Sequence, residues 1–145
     1  MQDSPRSADP GSAPVEYFPP DRPWEEHEGH LHLVGMRCSA CGTCAFPARE
    51  LCSLCGATEG LTRQRLAPRG RLYTFSEVHA GPKEFPSPYV IGFVDLEDGV
   101  RVVARLQGSA ASLSPDQWVE VTTGTVRVRV NGTQVVSYQF RGALA

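Results

Sequence analysis

Cys38-Ser-Ala-Cys41-Gly42 is followed ten residues later by Cys52-Ser-Leu-Cys55-Gly56. Two Cys-x-x-Cys-Gly knuckles at this separation describe a zinc ribbon, in which four thiolates enclose Zn²⁺ tetrahedrally. No coordination position is left open, so the metal's expected role is to hold the fold rather than to act as a Lewis acid. The glycine after each second cysteine allows a turn with φ > 0 that aims backbone N–H groups at the sulfurs and disperses their charge. Cys38, Cys41, Cys52 and Cys55 are therefore the expected ligands.

Cys44 tests that register, because Cys41-Gly-Thr-Cys44 is a competing pair. Ala45 follows it where a knuckle needs glycine, so Cys44 reads as a spare thiol beside the site. A disulfide framework would require a secreted context, and a redox motif would require a strand-to-helix setting. The first twenty residues lack the apolar core of a signal peptide, and no stretch approaches the ~18 apolar residues of a membrane span. The expectation is a cytoplasmic protein with no membrane partner. His30 and His32 point the same way on a strand leading into the first knuckle; with the metal already enclosed, they read as exposed.

Around these ligands the chain falls into parts. Six of the 12 prolines precede Trp24, mixed with Ser, Ala, Gly and Asp, so residues 1–20 read as a disordered tail. From Asp21 a capping acid, an early proline, acids in the first turn and a closing Gly29 predict a short helix. Trp24 would anchor it, on this protein or on a partner. Residues 21–36 thus comprise that N-terminal helix and a lead-in strand, residues 37–66 the ribbon, and residues 67–145 a β domain.

Five strand-like runs fill the last part: Arg71–His79, Tyr89–Glu97, Val100–Gln107, Trp118–Val130 and Thr133–Phe140. Glu97-Asp98-Gly99 and Asn131-Gly132 mark hairpins, the second as a two-residue turn. Gly108–Gln117 interrupts the series between the third and fourth runs. Five strands with that interruption predict a barrel of the oligonucleotide/oligosaccharide-binding (OB) type, and a mostly β protein overall.

Charge and strand faces narrow the function. The net charge of −2 conceals seven acids against two arginines in residues 1–28 and twelve bases against nine acids thereafter. Thirteen of the 14 cations are arginine, whose planar fork suits phosphate or carboxylate. Arg63, Arg65, Arg69 and Arg71 keep a nucleic-acid-binding reading open as the alternative. Against it stand the mild basic excess and the absence of aromatic platforms interleaved with bases. Val126-Arg-Val-Arg-Val130 predicts three valines inward, with Arg127 and Arg129 outward. Tyr89-Val-Ile-Gly-Phe-Val94 is apolar on both faces, as expected if another protein, an acyl ligand or the N-terminal helix covers its outer side. No catalytic residues are assignable, since neither a nucleophile–base set nor a phosphate-binding glycine loop is present.

Trp24-Glu-Glu, Met36-Arg-Cys-Ser-Ala-Cys-Gly42, Phe46-Pro-Ala-Arg49, Leu51-Cys-Ser-Leu-Cys-Gly56, Gly70-Arg-Leu-Tyr-Thr-Phe75 and Tyr89-Val-Ile-Gly-Phe-Val-Asp-Leu96 occur in that order. From about residue 20 to 140 the chain resembles the zinc-ribbon plus OB-fold acyl-CoA-associated family. The resemblance implies a small, non-catalytic partner of a thiolase-fold enzyme, such as a thiolase or aldolase of steroid side-chain breakdown or the benzoylsuccinyl-CoA thiolase of toluene degradation. It implies that the larger subunit carries the chemistry while this chain completes the assembly, two copies of each, and helps shape a channel for the coenzyme A thioester. Phe46 and Arg49 are the candidates for contact with that ligand, Arg49 by pairing a phosphate; the alternative is that Arg49 braces the ribbon through carbonyl contacts. Ala48, where a second proline is usual, and Gln117-Trp118, where a glycine often precedes the fourth strand, depart from the pattern.

Overall fold

The computed structural model describes residues 14–143, and within them the chain is mostly β with almost no helix. The barrel is built from β6 (Arg69–Val78), β7 (Tyr89–Leu96), β8 (Arg101–Leu106), β9 (Trp118–Val128) and β10 (Gln134–Gly142). Antiparallel pairing runs β9-β6-β7-β8, β10 pairs antiparallel with β9, and a short parallel contact between β10 and β8 closes the ring. That order is the OB topology, with a single 3-10 turn at Ala110–Ser112 interrupting the series between β8 and β9. Leu72, Val90, Val94, Val119 and Phe140 fill its interior. Among the described residues no helix is long and apolar enough to cross a membrane.

A second, smaller sheet carries the cysteines. It contains β2 (Trp24–His27), β3 (His30–Cys38), β4 (Cys44–Ala45) and β5 (Leu61–Arg65), all of them antiparallel to β3.

The expected helix from Asp21 is absent, and these residues form the β2–β3 hairpin instead. Glu28 at φ 52° and Gly29 at φ 83° both occupy the left-handed region, the signature of a tight hairpin turn between His27 and His30. The acids that resemble a helix's first turn alternate across a strand, and Glu25 meets arginines on β5. Trp24 is buried opposite Leu33, so its anchor is internal. Of the expected tail, residues 1–13 lie outside the described residues, but β1 (Val15–Tyr17) adds a parallel strand to β10. Glu16 on β1 accepts a hydrogen bond from Arg129 Nε at 2.8 Å.

The β9–β10 hairpin also differs from expectation. Its loop is three residues long, with Arg129 N–H bonded to the Thr133 carbonyl and Gly132 N–H to the Arg129 carbonyl. Only Gly132 takes a positive φ, as in a type I turn closed by a glycine bulge. A second irregularity, between Val135 and Val136, leaves Val126 without a directly opposed partner. An inserted residue reverses the phase of a strand. Val126 is accordingly buried, whereas Val128 and Val130 are exposed and Arg127 Nε is buried.

Glu25 on β2 receives hydrogen bonds from Arg63 and from Arg65 Nε (2.7 Å for the latter), joining β2 to β5. These guanidinium contacts, Arg63 first, hold its pKa down at about 2 from an ordinary 4.5. A depressed carboxylate stabilises the fold above its unfolded pKa, and the contribution is lost as pH falls from about 4.5 towards 2. Glu25→Gln should therefore melt below the parent protein near neutrality, with the gap closing through that window. Paired thermal melts across pH measure it, since acid loss of metal common to both cancels in the difference; a gap independent of pH would assign Glu25 to packing alone.

Candidate metal centre

Each cysteine pair sits on a turn made by its own glycine. Gly42 and Gly56 have φ of 81° and 83°, and their N–H groups bond the carbonyls of Cys38 and Cys52 at 2.7 and 2.8 Å. The first knuckle is held between β3 and β4, and the second is closed by Cys52 N–H on the Ala57 carbonyl. Folding brings the Sγ atoms of Cys38, Cys41, Cys52 and Cys55 within 4.8 Å of one another. Cys38–Cys55 and Cys41–Cys52 are 3.6 and 3.7 Å apart, too long for disulfides. Four sulfurs about 2.3 Å from one tetrahedral zinc lie about 3.8 Å apart, so this donor set fits the ion.

The electrostatics favour a cation among the four sulfurs. Cys41 is lowered to about 6 by the Thr43 hydroxyl and then the Thr43 N–H, and Cys52 is lowered by the N–H groups of Cys55 and Leu54. At Cys55 the Ala57 N–H favours the thiolate, but the neighbouring sulfurs of Cys38 and Cys41, together with burial, outweigh it and push the thiol up to about 12. Four thiolates cannot share this volume unless a cation neutralises them, which is the chemistry zinc supplies. Cys38 and Cys52 are buried, whereas Cys41 and Cys55 are exposed.

The remaining candidates separate. Cys44 lies outside the sulfur cluster, half-buried against the hydrophobic core. His30 is exposed as expected, but His32 is half-buried, with Nδ1 2.7 Å from the Leu66 carbonyl, where it ties β3 to the chain entering the barrel. That partner is 34 residues away, so strand alternation alone gave no signal of it. Phe46 packs edge-on to Tyr138 with ring centroids 5.4 Å apart, as part of the seam between ribbon and barrel. Arg49 is exposed and lines a cavity of about 510 Å³ together with Arg22, Arg63, Met36 and Pro47. Its backbone N–H donates to Met36 Sδ at 3.3 Å, fixing the loop that carries it.

The four-arginine cluster is engaged internally. Arg63 and Arg65 meet Glu25, while Arg69 and Arg71 both stack on the Trp118 ring, 4.3 and 4.6 Å from its centroid. Gln117 Oε1 accepts from Ser114 N–H at 2.6 Å, which closes the loop before β9 without a glycine.

Residues 26–62 match the rubredoxin-like zinc ribbon domain of ChsH2, and residues 63–124 match the ChsH2 C-terminal OB-fold domain. The BbsA subunit of benzoylsuccinyl-CoA thiolase from Thauera aromatica is 36% identical over 128 residues, 88% of this chain and 88% of that one. This chain belongs to the ChsH2 family of zinc-ribbon and OB-fold proteins. A second relative, a DUF35 domain-containing scaffold protein of Methanocaldococcus jannaschii, is 38% identical over 87 residues, 59% of this chain and 62% of that one. The solved structure of an Ltp2-ChsH2(DUF35) aldolase contains a similar chain, with a TM-score of 0.62 and 27% identity over 78% of this chain and 86% of that one. The two ChsH2 matches meet inside β5, the strand that pairs with β3 and then leads into the barrel.

Proposed function

We propose that this chain is the non-catalytic partner subunit of a thiolase-fold enzyme acting on coenzyme A thioesters, a thiolase or a retro-aldolase. The observation that carries the reading is the match along nearly its whole length to a relative named as a thiolase subunit. Cys38, Cys41, Cys52 and Cys55 hold one Zn²⁺ that folds residues 37–66, and residues 67–145 form the barrel. The larger subunit performs the chemistry, in cytoplasmic degradation of acyl-CoA derived from aromatic or steroid compounds, within an assembly of two copies of each chain. Purifying the tagged chain from its own cells and sequencing what accompanies it tests this. A thiolase-fold chain in equal amount is the expected result, and a monodisperse chain without one overturns it.

The arginine-lined cavity supports a role for this chain toward substrate. Arg49 lines it together with Arg22 and Arg63, where a guanidinium would receive a phosphate of coenzyme A. A charge-assisted contact of that kind contributes about 1.5–3 kcal/mol. Arg49→Ala should then raise KM for the acyl-CoA by roughly 10- to 100-fold with assembly intact. Unchanged kinetics with a lowered melting temperature would make Arg49 a brace for the ribbon instead.

A further inference from the structure

An antiparallel sheet with one face in water alternates apolar residues inward with polar residues outward. The outer face of β6, β7 and β8 departs from that rule. Val90, Val94, Val102, Ala104 and Leu106 fill the barrel, so the period of two turns Ile91, Phe93 and Val103 outward. Phe93 and Val103 are paired across β7 and β8 and are 41% and 51% exposed. Tyr73, at the irregularity in β6, is exposed beside them. A depression of about 170 Å³ lies between Thr74, Ile91, Phe93 and Val103. The strand that joins the barrel from the N-terminal side, β1, lies on β10 and leaves this face open among the described residues.

The rim carries arginines stacked on tyrosines. Arg101 lies 4.0 Å from the Tyr73 ring centroid and forms a fork with Asp95 at 2.6 and 3.0 Å. Arg105 lies 4.0 Å from the Tyr89 centroid, and among the described residues no carboxylate pairs with it. Aromatic and branched side chains at the centre with Arg and Tyr at the rim are the composition of a protein–protein contact. Charge decides between occupants. The acids on these three strands are Asp95, engaged by Arg101, and Glu77, 3.3 Å from His79 Nε2, so these strands of a second copy would bring Arg105 no uncommitted carboxylate, whereas a different subunit is free to supply one.

We infer that the outer face of β6, β7 and β8, centred on Phe93, is where the thiolase-fold subunit docks, with a carboxylate of that subunit facing Arg105. This rests on the function proposed above and adds the surface through which it operates. The test uses the complex reconstituted from this chain and the co-purifying thiolase-fold subunit. Phe93→Glu should weaken assembly about 30-fold or more, the effect of losing a central contact residue. Arg105→Glu should weaken it about tenfold. Val130→Glu, at the fully exposed hairpin tip, should assemble like the parent. Hydroxyl-radical footprinting of the unsubstituted complex should protect Tyr73 and Phe93, which guards against a variant that merely misfolds. Normal assembly of Phe93→Glu with unprotected rings overturns the surface while leaving the proposed partner intact; an unsubstituted chain that binds no thiolase-fold subunit overturns both. Self-association abolished by Phe93→Glu would give the face to a second copy and overturn the inference.

Discussion

Replacing Cys38 with serine should yield a chain that retains no zinc and whose ribbon is unfolded. Cys38 is fully buried, and its sulfur lies 3.6 Å from that of Cys55 inside a cluster spanning 4.8 Å. A closed four-thiolate site couples binding to folding, with apparent energies of about 10–16 kcal/mol in isolated structural zinc sites. Losing one ligand of four removes a large part of that, and the remaining sulfurs revert to a crowd without a cation. Cys55→Ser should behave alike. Cys44→Ser should keep one zinc per chain, because Cys44 lies outside the cluster. Elemental analysis with far-ultraviolet circular dichroism decides it: zinc retained by Cys38→Ser but lost from Cys44→Ser would move the ligand set one step along the chain.

Trp24→Ala should destabilise the protein by about 3–5 kcal/mol, the usual cost of emptying a large aromatic site in a core. Trp24 is 7% exposed and stands between Tyr17 of β1 and Tyr138 of β10, with ring centroids 6.1 and 6.2 Å away. Tyr138 also receives Phe46 edge-on, so one cluster joins both sheets. Removing the indole leaves a cavity at that seam, which the strands cannot close without breaking their pairing. Trp24→Phe should recover part of the loss, since its ring restores some of the contacts. Urea unfolding followed at equilibrium gives the values, and a loss under about 1 kcal/mol for Trp24→Ala would show that the seam is held elsewhere.

Features written in short stretches of chain were legible before the fold. Four cysteines at fixed spacing, with glycines placed to turn each knuckle, need nothing from the rest of the molecule to be recognised. The barrel strands came through for a similar reason, because apolar alternation and turn residues are local, and their expected limits lie within a few residues of β6 to β10. Residues 21–29 carried a misleading local signal. A proline followed by acids and a terminal glycine fits a helix start and stop, but a four-residue strand has no stability of its own. Its pairing with β3 and the burial of Trp24 settle it, and both involve residues outside that window.

By itself the sequence determined the four-cysteine cluster and the order of ribbon and barrel, since these depend on residue identity and spacing. Only the tertiary structure decided which arginines remain available. Arg63 and Arg65 close on Glu25 from 38 and 40 residues away, Arg129 reaches Glu16 from 113 residues away, and an irregularity in β9–β10 pairing turns Arg127 inward. A guanidinium is committed by the carboxylate or ring that folding sets beside it, and strand periodicity fixes at most the face from which it starts. Arg49 at its cavity and Arg105 above Tyr89 stand out as open to a ligand or partner only after those long-range contacts have formed.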